Sequence, residues 1–270
     1  MTPPRILCYH KVDRRVELGV TRLSPRRFAR QMERLACRGC TTLSLDQLRG
    51  CLTGARRAAP NEIAITFDDG YRALRDHAFP VLTAHGFTGI CFVVTDYAGK
   101  LNRWDVAYGG RRFAHLGWRD MRRWQSRGIE FASHTASHPR LTWLTDGDVA
   151  RELSRSRAAI RGALDADPAV VSWPFGAHGP REHRIAEREG YSVGLAIGRS
   201  RTWTGDLFSV PRHPVYIWSP PTPGFGALFS LDAAVGTVAN RFAVGTSIIR
   251  RRESAHIAAF AGTDEATAAT

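Results

Sequence analysis

Short apolar segments alternate with amphipathic segments along most of this chain. Seven apolar segments are rich in Val, Ile or aromatic residues and end near Gly, Pro, Asp or Ser, which is typical of buried β-strands. These segments comprise residues 6–10, 62–67, 89–95, 129–134, 169–175, 192–197 and 207–212. Between them, helical spacing of apolar residues predicts helices over residues 25–38, 71–85 and 146–164, the second kinked at Pro80. Strands that alternate with helices predict an α/β fold with a parallel sheet.

The pattern changes near residue 219. Pro and Gly are concentrated in residues 219–226, which predicts a long loop or a domain boundary. We therefore expect one domain over residues 1–218, a C-terminal extension over residues 219–257 and a disordered tail over residues 258–270. Residues 227–249 are weakly amphipathic and precede three Arg, which favours a helix packed on the main domain. The alternative is a helix that lies on a membrane surface.

Composition and charge narrow the possible functions only slightly. Of the 270 residues, 43% are hydrophobic and 23% are charged, which suits a folded globular domain. The net charge is +13, and because Lys11 and Lys100 are the only lysines, 36 of the 38 basic residues are Arg. These Arg are scattered along the chain. A solvated basic surface is therefore favoured over an anionic partner such as nucleic acid, an acidic membrane or a phosphate-bearing sugar.

The chain start and the cysteines bear on the cellular compartment. Residues 1–10 lack the basic and apolar regions of a signal peptide, and no apolar stretch approaches the roughly 20 residues of a membrane span. These features predict a cytoplasmic protein, unless an upstream start adds a signal peptide. Five Cys, an odd number, argue against a fully disulfide-paired secreted protein. Cys37 and Cys40 are expected to be ordinary thiols, since no second pair follows at zinc-finger spacing.

Two adjacent carboxylates follow the predicted strand at residues 62–67. Asp68 and Asp69 leave this strand in a turn that Gly70 permits. Consecutive side chains leave a strand in different directions, so one carboxylate can bind a metal while the other faces water. Taken alone, Asp-Asp-Gly is equally typical of a simple turn.

Two histidines form the second motif. His134 and His138 are four residues apart, which suits a single divalent ion. Thr135 and Pro139 argue against the helix of a zinc protease, so both histidines are placed at a strand end and in the following loop. Coupled with the two carboxylates, the pair predicts a metal site rather than two isolated surface histidines.

The third motif is Trp173-Pro174-Phe175-Gly176, which ends another predicted strand. The backbone N–H of Phe175 can face a developing oxyanion there, although a buried strand with a β-turn is the alternative. Each of the three motifs, and His213 as well, follows the carboxyl end of a predicted strand. In a barrel of parallel strands these ends converge at one rim, so a barrel is favoured over an open sheet.

Together these motifs resemble the polysaccharide deacetylase family (carbohydrate esterase family 4, NodB homology). The resemblance runs in the family's order from about residue 5 to about residue 215. It rests on Tyr9-His10, Thr66-Phe67-Asp68-Asp69-Gly70, His134-Thr135-Ala136-Ser137-His138 and Trp173-Pro174-Phe175-Gly176. It implies a distorted (β/α) barrel of about seven parallel strands and a metal-dependent hydrolase that removes N- or O-acetyl groups from sugars.

Carried over by motif, the resemblance implies a role for each site residue. Asp68 is the general base that activates a metal-bound water, and Asp69, His134 and His138 hold the metal. Zinc is favoured by two imidazoles and one carboxylate, with Co²⁺ or Ni²⁺ as alternatives. The resemblance further implies that Phe175 offers its backbone N–H to the oxyanion, and we expect the neighbouring Pro174 and His10 to lie at the substrate.

The chain departs from the family at two points. Many members have Arg two residues before the Pro of the third motif, where it orients the catalytic Asp, and this chain has Ser172. The late Leu-x-His motif that usually supplies the general acid is also absent. We expect Arg212 to take the orienting role and His213 to protonate the leaving amine. His10 and His178 are the competing acids.

The expected substrate is an N-acetylated sugar, which can be a glycan or a lipid-linked, nucleotide-linked or antibiotic-precursor amino sugar. Asn102, Arg103 and Trp104 lie in a predicted loop that suits sugar stacking, and a packed Trp in an ordinary loop is the alternative. A non-catalytic sugar-binding barrel, or a deacylase for O-acetyl or N-formyl groups, is the alternative function. No specific nucleic acid is expected, a peripheral membrane contact is not favoured, and the oligomeric state is open.

Overall fold

The computed structural model describes residues 3–15, 20–103, 112–197 and 203–220. The strands are β1 (Arg5–Tyr9), β2 (Lys11–Val12), β3 (Arg22–Leu23), β4 (Thr41–Thr42), β5 (Glu62–Phe67), β6 (Gly89–Val93), β7 (Ile129–Ser133), β8 (Val170–Ser172), β9 (Val193–Ile197) and β10 (Val210–Pro214). The helices are α1 (Pro25–Cys37), α2 (Leu45–Thr53), α3 (Ala73–His77), α4 (Phe79–Ala84), α5 (Trp118–Gln125), α6 (Asp146–Leu164) and α7 (Pro180–Arg188).

Seven parallel strands close into a barrel. Hydrogen-bonded neighbours follow the order β1, β10, β9, β8, β7, β6 and β5, and β5 pairs back with β1 to complete the ring. The short strand β4 adds to the start of β5, and β2 pairs with β3 in a separate two-stranded sheet. The expected (β/α) barrel of about seven parallel strands is therefore confirmed.

Alternation along the barrel strands separates two apolar layers. Side chains of every second residue meet inside the barrel, and the residues between them pack against α1, α4, α5 and α6. Burial on both faces is what a parallel sheet with crossover helices requires. The inner layer includes Ile6, Ala64, Ile90, Phe92, Val193, Leu195 and Val210, and the outer layer includes Leu7, Ile63, Ile65, Phe67, Cys91 and Phe131.

Interior positions become polar toward the carboxyl ends of the strands. On β5 they run from Ala64 through Thr66 to Asp68, and β8 and β10 contribute Ser172 and Arg212. All five residues are buried. Because a buried polar group is costly without a partner, these side chains bond with one another at this rim. The barrel therefore concentrates its buried polar chemistry where such folds carry their sites.

The longest helix, α6, begins and ends where the sequence predicts. The hydroxyl of Thr145 accepts a hydrogen bond from the backbone N–H of Asp148 and so caps the first turn. Leu153 and Ile160 are among the apolar residues that it buries. Asp165 follows in the left-handed conformation, with φ 50°, and ends the helix.

The prediction of one helix over residues 71–85 is wrong. The structure has α3 and α4, which meet at Ala78 rather than at Pro80. Pro80 lies in the first turn of α4, where its missing N–H leaves no hydrogen bond unmade. The proline therefore starts the second helix instead of kinking a continuous one.

Two strand predictions have the wrong bounds. The strand expected over residues 169–175 ends at Ser172, because Pro174–Gly176 forms a 3₁₀ turn in which Phe175 has φ 59°. The strand expected over residues 207–212 lies later, as β10. Residues 206–209 form a turn instead, in which the carboxylate of Asp206 accepts a hydrogen bond from the N–H of Phe208.

The elements without a predicted counterpart are the two-residue strands β2, β3 and β4 and the short helices α2, α5 and α7. In α5, only Met121 and Trp124 are buried, and charged residues fill most of the remaining positions. Such a helix has too few apolar residues to show a clear period. By contrast, α2 carries a readable start signal, since Ser44 and Gln47 form a reciprocal capping box.

The expected C-terminal extension and tail lie almost wholly outside the described residues. Of residues 219–270, the structure describes Ser219 and Pro220, whose carbonyl oxygens accept hydrogen bonds from Arg27 and Gln31 of α1. The expectations for the helix at 227–249 and the tail at 258–270 stay predictions. Within the described ranges, no helix is long and apolar enough to cross a membrane.

Candidate active site

The turn after β5 separates the two adjacent carboxylates. Asp69 and Gly70 both have left-handed backbone conformations, with φ of 70° and 69°. A Cβ at Gly70 would lie 2.9 Å from Cγ1 of Val93, so both strain and lack of space exclude a side chain there. The carboxylate of Asp69 consequently turns toward the loop after β7, whereas that of Asp68 points toward Arg212 in the barrel interior.

The loop after β7 brings two imidazoles together. Thr135 and His138 are left-handed, with φ of 67° and 64°, and the hydroxyl of Thr135 accepts a hydrogen bond from the N–H of His138. Glu152 on α6 accepts hydrogen bonds from the N–H and the hydroxyl of Ser137, at 2.8 and 2.7 Å. Such backbone strain persists where neighbouring groups hold it. The rings of His134 and His138 have centroids 4.8 Å apart as a result.

Three donor atoms converge at this point. Nε2 of His134 and Nε2 of His138 lie 3.4 and 3.5 Å from Oδ1 of Asp69, and all three residues are buried. Nδ1 of His134 lies 2.8 Å from the backbone oxygen of Ser172, so Nδ1 donates and the lone pair is on Nε2. Two imidazole nitrogens and one carboxylate oxygen suit zinc and leave a coordination position open. These residues therefore fit a divalent ion.

Asp68 is bound by a different kind of partner. Its carboxylate accepts two hydrogen bonds from the guanidinium of Arg212, from Nη1 to Oδ1 at 2.7 Å and from Nη2 to Oδ2 at 2.6 Å. Nη1 also contacts the hydroxyl of Thr66, and the ring of Phe92 lies 5.5 Å from the guanidinium carbon. The structure thus places Arg212 where an orienting group for Asp68 must lie.

Burial and neighbouring charges shift the pKa values of these groups in opposite directions. Burial raises the pKa of Asp68, but the Arg212 guanidinium outweighs it and holds this pKa well below its usual range. Burial also raises the pKa of Asp69, while the two histidines bring it down to about 2. Burial lowers the pKa of His138 to about 3, whereas for His134 the carboxylates outweigh burial and raise the pKa. A divalent ion would therefore compete with a proton mainly at His134.

The turn after β8 adds the third motif to these donors. Phe175 is left-handed, and its ring packs edge-on against His138 with centroids 4.7 Å apart. Pro174 is buried beside it. The structure therefore brings Phe175 and Pro174 next to a candidate metal ligand, and the oxyanion role of the Phe175 N–H stays a prediction.

Two candidate proton donors, His10 and His213, differ in position. A ring nitrogen of His10 lies within 4.8 Å of both a carboxylate oxygen of Asp68 and Sγ of Cys8. His213 follows Arg212 on β10, and strand alternation turns its side chain to the opposite face. Burial lowers the pKa of His213 to about 4, and neither site carboxylate contributes. The structure thus brings His10, and not His213, to Asp68.

The remaining candidates lie elsewhere. Nδ1 of His178 is 2.8 Å from Nε2 of His183, and Trp173 stacks on the His178 ring. His178 therefore contacts α7 rather than the two carboxylates. Trp104 lies outside the described residues, so the sugar-stacking loop stays a prediction. Asn102, at its edge, is buried.

Two residues that contact Asp68 or Asp69 are absent from the sequence predictions. Sγ of Cys8 lies 3.6 Å from Oδ2 of Asp68, and Nδ1 of His115 lies 2.7 Å from the backbone oxygen of Asp69. Cys8 had a weak signal, since it lies two residues before His10 on the same strand face. His115 had none, because it reaches the site from an irregular segment between β6 and α5.

Comparisons with known proteins agree with the family resemblance of the sequence motifs. The family model described as polysaccharide deacetylase matches residues 55–194. YxkH of Bacillus subtilis (strain 168), a protein assigned to the same family, is 26% identical over 190 residues, which cover 70% of this chain. The chain spans 63% of the length of YxkH, which is less than two thirds.

Solved structures show the same barrel. The deacetylase PplD of Streptococcus pyogenes, solved with acetate, has a TM-score of 0.72 at 21% identity and covers 82% of this chain and 96% of its own. IcaB of Ammonifex degensii has a TM-score of 0.68 at 21% identity, with 87% and 97% covered. The de-N-acetylase of Aggregatibacter actinomycetemcomitans has a TM-score of 0.68 at 17% identity, with 85% and 98% covered. At these identities the likeness shows a shared fold.

Proposed function

Since this chain belongs to the polysaccharide deacetylase family, we propose that it is a metal-dependent hydrolase that removes the N-acetyl group from an amino sugar. The observation that carries this proposal is the different surroundings of two adjacent carboxylates. Asp69 faces the Nε2 atoms of two imidazoles, while Asp68 faces a guanidinium. One carboxylate is therefore suited to hold an ion and the other to accept a proton.

Asp69, His134 and His138 are the residues that would hold the ion, with zinc favoured by the donor atoms and Co²⁺ or Ni²⁺ as alternatives. Bound there, a divalent ion supplies Lewis acidity, which polarises a carbonyl oxygen and acidifies a neighbouring water. Ser172 supports this role, since its backbone oxygen accepts the Nδ1 proton of His134 and so leaves the lone pair of Nε2 available to hold an ion.

Asp68 is the proposed general base. Arg212 keeps its carboxylate ionised and fixes its rotation through two hydrogen bonds. The charge of His134 also lowers the pKa of Asp68, which favours the ionised carboxylate that a general base requires. Asp68 accepts the proton of the attacking water as the new C–O bond forms.

His10 is the proposed general acid, in place of the His213 expected from the sequence. Its ring nitrogen lies near Asp68, whereas the His213 side chain faces away from Arg212 and the barrel interior. His10 donates a proton to the leaving nitrogen as the C–N bond breaks, so the products are acetate and a free amine. The backbone N–H of Phe175 stabilises the charge that develops on the acetyl oxygen.

Metal analysis and acetate release test this proposal together. The zinc-reconstituted protein is expected to hold about one zinc per chain and to release acetate from N-acetylglucosamine oligosaccharides. Asp68→Asn should keep zinc and lose at least about 10²-fold in turnover, which is the usual contribution of a general base. His134→Ala should lose zinc and turnover together.

The exposed His85 supplies the matched control, because it follows α4 at the opposite end of the barrel. His85→Ala should keep both zinc and turnover. Absence of stoichiometric zinc in the reconstituted wild type would overturn the metal-dependent hydrolase. Zinc binding with acetate release from O-acetylated sugars alone would instead replace the proposed amide substrate by an ester.

A further inference from the structure

The two oxygens of the Asp68 carboxylate have unequal surroundings. Oδ2 accepts hydrogen bonds from Nη2 of Arg212 at 2.6 Å, from the hydroxyl of Ser172 at 3.1 Å and from Sγ of Cys8 at 3.6 Å. Among the described residues, Oδ1 accepts one hydrogen bond, from Nη1 of Arg212 at 2.7 Å. A carboxylate oxygen offers about two lone pairs. Oδ2 is therefore saturated, and Oδ1 keeps one open position.

The hydroxyl of Ser172 has its direction set by its neighbours. It accepts a hydrogen bond from Nη2 of Arg212 at 2.7 Å, so its own proton points to Oδ2 of Asp68. The side chain is fully buried. Sγ of Cys8 lies nearer to Oδ2 than to its other acceptor, the backbone oxygen of Tyr9, at 3.6 against 3.9 Å.

Ser172 also contacts His134, one of the three candidate metal ligands. Its backbone oxygen accepts the Nδ1 proton of His134, while its side chain bonds to Asp68 and Arg212. One residue of β8 thus sets both the tautomer of a candidate metal ligand and the hydrogen bonding of the candidate base. This double contact fixes where the base lies relative to the donor atoms.

We propose that Ser172, assisted by Cys8, is a positioning residue that blocks Oδ2 of Asp68, so that Oδ1 is the oxygen that receives the proton of the attacking water. This inference rests on the proposed function, because it names the reacting atom of the proposed base. The proton moves from water to Oδ1, and the electron pair of that O–H bond stays on the attacking oxygen. Ser172 and Cys8 keep their own protons throughout.

Replacement of the hydroxyl tests the proposal by kinetics. Ser172→Ala removes the hydroxyl donor from Oδ2, so that Arg212 and the longer Cys8 contact remain there, and it removes one bond that orients the carboxylate. We expect about a tenfold fall in kcat with KM unchanged within about twofold, which is the size of one hydrogen bond to a charged group. Ser172→Thr keeps the hydroxyl and should recover turnover to within about threefold of wild type.

Two further variants keep the kinetic test decisive. Ser192→Ala removes a hydroxyl that bonds to the backbone oxygen of Ala169 outside the site, and kcat should stay at the wild-type value. If Ser172→Ala fails to fold, Cys8→Ala and Cys8→Ser replace it, with a fall of about threefold expected for Ala and a smaller fall for Ser. An unchanged kcat in Ser172→Ala, with zinc still bound, would overturn the proposal.

A crystal structure of the zinc-loaded wild-type protein gives a readout that does not need turnover. An ordered water within hydrogen-bond distance of Oδ1, with the Ser172 hydroxyl on Oδ2, is the expected result. A water on Oδ2, or a Ser172 side chain turned away from Asp68, would overturn the inference. Failure of the proposed function would be seen in a separate measurement, because the zinc-loaded protein would then release no acetate from any acetylated sugar tested.

Discussion

The site has two halves, one formed by Asp69, His134 and His138 and the other by Asp68, Arg212 and Ser172. The two halves compensate their buried charge in different ways. Asp69 faces His134 and His138 across 3.4 and 3.5 Å, a spacing that suits a shared ion. Asp68 instead has a cation from its own chain, since the guanidinium of Arg212 lies 2.6 and 2.7 Å away. Under the proposed function a bound ion would compensate the charge of the first half, whereas the compensation of the second is complete in the polypeptide.

The two halves also differ in what holds them. Asp69 and His138 lie in turns with left-handed backbone, and a hydrogen-bonded partner such as Glu152 supports the second turn. Ser172 and Arg212 lie on barrel strands, whose geometry the sheet hydrogen bonds fix. Groups on strands are held more rigidly than groups on loops. This contrast leads to four predictions, ordered from the largest effect to the smallest.

Removal of the Arg212 cation should destabilise the folded protein at the half of the site that contains Asp68. Arg212→Met leaves the buried Asp68 carboxylate without its cationic partner, which costs about 3 to 5 kcal/mol in the free energy of unfolding. Urea denaturation measures this loss. The double variant with Asp68→Asn removes the buried charge as well, so it should regain at least half of the loss. A double variant as unstable as Arg212→Met would contradict this account.

Zinc should stabilise the protein through Asp69, His134 and His138, and this stabilisation should not depend on Asp68. At a free zinc concentration of about 100 times Kd, binding adds about 2.7 kcal/mol to the free energy of unfolding. Asp68→Asn should keep this increment, because Asp68 lies outside the three donors, and Asp69→Asn should lose it. Urea denaturation with and without zinc checks both variants. An equal zinc-dependent increase in the free energy of unfolding for both variants would contradict the separate roles of Asp68 and Asp69.

His213 should affect stability at low pH while lying outside both halves. Burial lowers its folded-state pKa to about 4, below the ordinary value of about 6.5. Between these values the unfolded chain binds more protons, so the free energy of unfolding falls as pH falls through this window. His213→Gln should remove roughly 1 to 2 kcal/mol of the loss between about pH 7 and pH 5. Denaturation at several pH values measures it, with the exposed His85→Gln as the control, and equal slopes for both variants would contradict the prediction.

The smallest effect is expected for the support of the histidine loop. Glu152→Ala removes the acceptor for the N–H and hydroxyl of Ser137, so the loop that carries His134 and His138 should be held less firmly. Loss of such a support typically weakens metal binding by about tenfold or more. Zinc titration measures this, with Glu33→Ala, an exposed position on α1, as the control. Unchanged zinc affinity would mean that the loop holds its geometry unaided.

Elements with a strong local signal could be predicted from the sequence. Residues 146–164 form α6 within the expected bounds, because a capping Thr145 and a long apolar stripe agree with each other. The barrel strands were also expected near their observed positions, since buried parallel strands form compact apolar runs. Boundaries were less readable at Pro80 and Phe175, where a proline or a left-handed residue changes the element locally.

The order of the amino acids is enough to show which chemistry-bearing residues occur together in motifs. Spacings of one and four residues were enough to pair Asp68 with Asp69 and His134 with His138. The contacts of Arg212 and Ser172 with Asp68, and the position of His10 rather than His213 beside it, become evident in the folded barrel alone. The reason is physical, because a local pattern reports on neighbours within a few residues. Arg212 is 144 residues from Asp68 along the chain, and closure of the barrel brings the two together.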